Sequence, residues 1–168
     1  MDFNFEGKFY DLRIFLGGKS MSPMLLIVED SPTQQYLYRE LCHRFGYEAH
    51  IVASGEEALS AIALTDYSAV ILDIGLPGIC GLETIRRIRM KEKGTIRHLP
   101  VLALTGNSEP EDKIECLSAG ADDYMSKPFS VDAFRKLLLR WTYDSRSPNL
   151  RLIDLPAQPD KQLFERPT

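Results

Sequence analysis

The sequence has little of what would place a chain in a membrane, outside the cell or on a nucleic acid. Its three cysteines, Cys42, Cys80 and Cys116, are odd in number and form no Cys-x-x-Cys pair. That argues against a disulfide scaffold or a zinc ribbon and fits thiols in a reducing compartment. No apolar run approaches the roughly 18 residues that a membrane-spanning helix needs. Asp2, Glu6 and Asp11 stand where a secretory signal would carry basic and then apolar residues. A net charge of −4 supplies no general attraction to nucleic acid or anionic lipid. No internal repeat or low-complexity tract is present. The expectation is a soluble, cytoplasmic protein with neither nucleic acid nor membrane as a direct partner.

What the sequence does have is a regular alternation. Five short apolar runs occupy residues 24–28, 48–53, 69–72, 101–104 and 123–125, the second being the weakest. Helical patterns lie between them. Leu37, Leu41 and Phe45 are spaced by four, and Gly46 can stop that helix. Ser54 to Glu57 is a capping box, opening a helix with Ala58, Ala61 and Ile62 inward. Leu82, Ile85 and Ile88 mark a third helix starting just after Gly81, with the stem of Arg89 beside them. Ser108 to Glu111 repeats the capping box before a helix that stops at Gly120. Ser130 caps the last, with Phe134, Leu138 and Trp141 inward. Alternating strands and helices of this length predict an α/β domain over 24–142, with a parallel sheet covered on both faces. Residues 1–23 form an aromatic-rich extension without clear period. Residues 143–168, with Pro148, Pro156, Pro159 and Pro167, read as a tail or linker too short for a DNA-binding domain.

The run Ala69-Val70-Ile71-Leu72 ends in the carboxylate of Asp73, an unusual residue for the rim of a core. The other strands end comparably. Glu29-Asp30 follow the first, Thr105 the fourth and Lys127 the fifth. All lie at the carboxyl edge of the strands, where open α/β sheets bind ligands. If the first and third strands are neighbours, three carboxylates share one crevice, which suits a hard divalent cation such as Mg²⁺. A carboxylate nucleophile, a metal, a hydroxyl and a lysine are the parts that phosphoryl transfer calls for. A doubly charged phosphoryl group beside two carboxylates meets four unit repulsions of roughly 4 kcal/mol each at 4 Å and an effective dielectric near 20. One lysine does not offset that, so the chemistry is expected to need Mg²⁺.

With "LLIVEDS", "ILDIGLPG", "ALTG" and "DDYMSKPF" in this order and spacing, the sequence resembles the receiver domain of two-component response regulators. The resemblance covers residues 24–142. It implies a flavodoxin-like three-layer α/β/α sandwich with strand order 2-1-3-4-5. It implies that Asp73 accepts a phosphoryl group from a phosphohistidine on a sensor histidine kinase or phosphotransfer protein. Glu29 and Asp30 would hold Mg²⁺ with Asp73 and the backbone carbonyl of Gly75, Glu29 acting through water. Thr105 and Lys127 would bind the phosphoryl oxygens, and a cis Lys127-Pro128 bond would aim the lysine into the site. Tyr124 falls on the family's switch aromatic, which turns inward as Thr105 moves. The surface of the fourth helix, fifth strand and fifth helix would then meet a downstream protein. Gly75 and Asn107 occupy positions that tune the lifetime of the acyl phosphate. "VEDSPTQQ" and "ALTGNS" look more like receivers of hybrid sensor kinases than those of transcription factors, so a phosphorelay or a contact-acting receiver is expected.

Other readings fit less well. A phosphatase of the haloacid dehalogenase type needs a second aspartate two residues after its nucleophile, where this chain has Gly75. A pseudo-receiver, a binding module without phosphorylation, would lack one of Asp30, Asp73 or Lys127. "RIFLGGKS" (13–20) lacks the first glycine of a phosphate-binding loop and is followed by Ser22-Pro23 instead of a helix. Leu12, Ile14 and Leu16 there would fit an added edge strand or the remnant of a preceding domain. Arg86, Arg87, Arg89, Lys91, Lys93 and Arg97 are interleaved with Glu83 and Glu92, the pattern of a solvated helix face. His43, His50 and His98 have no ligand spacing and are expected at the surface. Asp122 and Asp123 are expected to serve the entry to the fifth strand instead of a metal.

Overall fold

A computed structural model describes residues 22–143 apart from Ile96, Asn107 and Ser108. The extension before Ser22, the tail after Tyr143, the expectation for Asn107 and the Ser108 side chain lie outside the described residues. Among the described residues ten elements alternate: β1 (Met24–Val28), α1 (Pro32–Arg44), β2 (Glu48–Val52), α2 (Gly55–Leu64) and β3 (Ala69–Asp73) come first. Then follow α3 (Gly81–Glu92), β4 (Val101–Thr105), α4 (Pro110–Ala119), β5 (Asp123–Ser126) and α5 (Val131–Tyr143). The strands form one parallel sheet in the order β2-β1-β3-β4-β5. This is the flavodoxin-like sandwich.

The apolar runs are continuous because both faces of the sheet are covered. Leu26, Val28, Val70, Leu72 and Ala103 pack with Ala58, Ala61, Ile85, Ile88, Cys116 and Ala119 of α2, α3 and α4. The alternate residues Leu25, Ile27, Ala69, Ile71, Leu102 and Leu104 pack with Tyr38, Leu41, Cys42, Phe134, Leu137 and Leu138 of α1 and α5. Period-two alternation therefore sorts each strand between two apolar cores.

Local signals set most helix ends. Glu57 donates its backbone N–H to Ser54 Oγ at 3.2 Å while its carboxylate accepts from Ala53 N at 3.0 Å, a capping box displaced by one residue. Ala133 N donates to Ser130 Oγ at 3.1 Å. Gly46 and Gly120 follow α1 and α4 in the left-handed region, at φ +82° and +107°.

Two expectations need correction. Leu37 is about half exposed, and Tyr38 faces the sheet in its place, its ring against Phe129 and Phe134. One residue along a helix turns the side chain by about 100°, so the buried face runs through Tyr38, Leu41 and Cys42 and leaves Leu37 at its edge. α4 begins at Pro110 with Glu109 at its N-cap, not at Ser108, because proline's fixed φ suits the first helical position.

Candidate functional site

The register brings the chemistry to one edge. Val28 pairs with Leu72, so Glu29, the residue after Val28, leaves the sheet beside Asp73. Asp73 pairs with Leu104 and Thr105 with Ser126, which carries Thr105 and Lys127 to the same rim. Carboxylate oxygens of Glu29, Asp30 and Asp73, one from each, all lie within 4.8 Å of one another. Glu29 and Asp73 are buried and Asp30 is exposed. Lys127 Nζ donates to Asp73 Oδ2 at 2.8 Å and to Glu29 Oε2 at 3.0 Å. Its backbone N–H donates to Thr105 O at 2.7 Å, and the Lys127-Pro128 peptide is cis.

Backbone donors complete the cradle. Gly75 N donates to Asp73 Oδ1 at 2.9 Å, so a tight turn orients the carboxylate. Ser31 N donates to Glu29 Oε1 at 3.1 Å, and Gln35 Nε2 donates to Glu29 O at 2.7 Å. Both carboxylate oxygens of Glu29 are thus engaged, one by the start of α1 and one by Lys127. Gly81 lets α3 start hard against β3. A Cβ there would lie 2.5 Å from Asp73 O and 2.6 Å from Ile74 Cα.

Burial and charge oppose each other here. Burial pushes the Glu29 carboxyl above its ordinary value, against the pull of Lys127 and the Ser31 N–H. Burial disfavours the charge of Lys127, but its hydrogen bonds to Asp73 and Glu29 outweigh that and hold its pKa above the usual lysine value. The Lys127 ammonium also lies 6.0 Å from the centroid of the Tyr38 ring. Burial pushes the Tyr38 hydroxyl up to about 12, with Lys127 pulling the other way. Three carboxylates and one ammonium leave a formal −2 in hard oxygen donors, a set that fits Mg²⁺.

The remaining expected residues are elsewhere or close by. Tyr124 is half-buried against the α2–α4 core, with Lys113 Nζ 5.0 Å from its ring centroid. Asp122 accepts from Arg89 Nη2 at 2.6 Å and from Val101 N at 2.7 Å, and Asp123 accepts from Arg140 and Trp141. Asp122 therefore anchors the start of β4 to α3, and Asp123 ties the start of β5 to α5. Arg89 contributes more than a stem, since it also donates to Gly120 O, Leu99 O and Glu92. Arg87 pairs with Glu83, and Arg97 with Asp66. His98 contacts Asp122 and Glu92, and His50 contacts Tyr67. Ser31, Gln35 and Tyr38 were missed in the sequence. The Ser31-Pro32 helix start was a signal for the first of them, and nothing local pointed to the others.

A family description, the response regulator receiver domain, matches residues 25–139. The transcriptional regulatory protein TcrA of Mycobacterium tuberculosis is 37% identical over 147 residues, covering 86% of this chain and 56% of that protein. The sensor histidine kinase GacS of Pseudomonas protegens is 33% identical over 126 residues, covering 73% of this chain and 14% of the kinase. Among solved structures, the receiver domain of a Pseudomonas aeruginosa sensor histidine kinase, with magnesium coordinated in its active-site cleft, is similar at a TM-score of 0.67. It is 34% identical, with 73% of this chain and 99% of that one covered. The chain spans about half the length of TcrA.

Proposed function

Because the chain belongs to the receiver-domain family of two-component response regulators, we propose that it takes a phosphoryl group onto Asp73 from a phosphohistidine on a partner. Receiver domains are signalling domains that interact with histidine kinases or phosphotransfer proteins. The observation that carries the proposal is Lys127 Nζ bridging Asp73 and Glu29 within a cluster of three carboxylates.

The Asp73 carboxylate attacks phosphorus. An O–P bond forms as the partner's N–P bond breaks, and the electron pair remains on the imidazole nitrogen. Lys127 turns its ammonium from Glu29 toward the incoming oxygens, and the Thr105 hydroxyl at the end of β4 donates to another. Asp30, Asp73 and the Gly75 carbonyl are the residues that would hold Mg²⁺ directly. Glu29, with both oxygens engaged, would act through water. When bound, the ion neutralises charge on the phosphoryl group and fixes its orientation.

The consequence of phosphorylation is a change at Thr105 and Tyr124 that alters the face of α4, β5 and α5. Ile114, Leu117 and Val131 of α4 and α5 are exposed large apolar side chains suited to a protein partner. In this reading residues 24–142 are the receiver, acting in the cytoplasm in a phosphorelay or by direct contact, with 1–23 as an extension and 143–168 as a tail or linker.

Intact mass after incubation with acetyl phosphate tests the reading. The expected outcome is a gain of one phosphoryl group that needs Mg²⁺ and is absent in Asp73→Asn. A folded wild type that gains nothing would instead make the domain a pseudo-receiver, a binding module without phosphorylation.

A further inference from the structure

Lys127 carries three N–H donors, and the carboxylates of Asp73 and Glu29 take two of them, at 2.8 and 3.0 Å. The third group beside the ammonium is uncharged. Lys127 Nζ lies over the ring of Tyr38, 6.0 Å from its centroid, at the limit of cation–π reach. Three parts of the fold hold that ring in place. Tyr38 itself comes from α1, Phe134 from α5, and Phe129 from the segment just after Lys127. Phe129 stacks on Tyr38 at 6.2 Å and on Phe134 at 5.3 Å, and Tyr38 is almost wholly buried. Burial also keeps the Tyr38 hydroxyl neutral, so the side chain adds no further anion to the crevice.

We propose that Tyr38 is a positioning residue for the phosphoryl transfer, its ring keeping the Lys127 ammonium at the crevice while the carboxylate contacts change. The inference rests on the phosphoacceptor role of Asp73 argued above. Transfer converts Asp73 to an acyl phosphate and takes Lys127 from Glu29 toward the phosphoryl oxygens, so both ionic partners change. The ring face takes part in neither event and is a contact that persists through both. Lysine needs such a contact more than arginine would, because its ammonium is a point charge on a flexible four-carbon stem. A leucine at position 38 would fill the core and offer the cation nothing.

The rest of the helix start has a different task. Ser31 N and Gln35 Nε2 fix the side chain and the carbonyl of Glu29, which is the partner that Lys127 leaves. Tyr38, one turn further along α1, is therefore placed to act on the lysine itself.

The rate of Asp73 phosphorylation by acetyl phosphate with Mg²⁺, followed by intact mass on the full chain, tests the proposal. Wild type, Tyr38→Phe and Tyr38→Leu are compared after circular dichroism has shown each to be folded. Tyr38→Met replaces the leucine variant if that one does not fold. Misplacing a reacting group costs up to roughly a hundredfold, and Tyr38→Leu is expected to be slower by about tenfold or more. Tyr38→Phe keeps the ring and should stay within about threefold of wild type. Loosened packing alone would not reach the lysine, so exchange of the Lys127 ammonium hydrogens with water is measured by ¹⁵N NMR in the same samples. It should quicken in Tyr38→Leu and not in Tyr38→Phe. A leucine variant as fast as wild type, or a phenylalanine variant as slow as leucine, would overturn the proposal. So would slow transfer in Tyr38→Leu with unaltered ammonium exchange. A folded wild type that gains no phosphoryl group gives a different result, overturning the phosphoacceptor role and this inference with it.

Discussion

Tyr38 shows how one buried hydroxyl couples the site to stability. It is buried under the Phe129 and Phe134 rings and donates to Gln34 Oε1 at 3.3 Å, with its hydroxyl pushed up to about 12. In the unfolded chain the same group titrates near 10. Between those values the folded state binds more protons, so stability falls as pH rises. At pH 11 the wild type should lose about 1.4 kcal/mol more than Tyr38→Phe, relative to both at pH 8. Parallel urea unfolding of the two proteins measures this, and equal losses would mean Tyr38 titrates normally when folded. At this scale the sequence was uneven as a guide. Asp73, Asp30 and Lys127 were legible because a charge at the end of an apolar strand is conspicuous. Tyr38 was not, because a helix face is chosen by the surface it meets and Leu37 is just as apolar.

Elements aim these side chains, and the sharpest example is α3 against β3. Gly81→Ala would set a Cβ 2.5 Å from a backbone oxygen, where no side chain can give way. The expected loss is about 1–3 kcal/mol, as for other overpacked positions. Gly106→Ala, with nothing within 4 Å of the added carbon, is the control and should leave the urea midpoint nearly unchanged. If the two variants unfold alike, close approach of α3 is not what the glycine permits. Strands and helices were largely readable, because apolar runs covered on both faces and caps are signals within a few residues. α4 departed from its reading for an equally local reason, since Pro110 competes with Ser108 to define the first turn. The Arg89 network was not readable. It joins α3 to Leu99, Gly120 and Asp122, residues up to 33 positions away in the chain.

For the molecule as a whole, the unbalanced charge at the carboxyl edge should make stability respond to cations. A ligand that binds only the folded state at one hundred times its dissociation constant adds about 2.7 kcal/mol. Thermal melting is therefore expected to rise with Mg²⁺ in wild type, and far less in Asp30→Asn and Asp73→Asn. An equal rise in all three would place the ion outside the cluster. The sequence by itself determined the alternating elements, the parallel sheet and the strand ends that carry chemistry, since each rests on composition and spacing over short distances. Only the tertiary structure decided that Lys127 reaches Glu29, 98 residues away, as well as Asp73. It alone decided that Tyr38 lies under Lys127, and that Gly81 sits hard against the end of β3. Those are matters of which surfaces meet, and a one-dimensional pattern contains no distance between residues that only folding brings together.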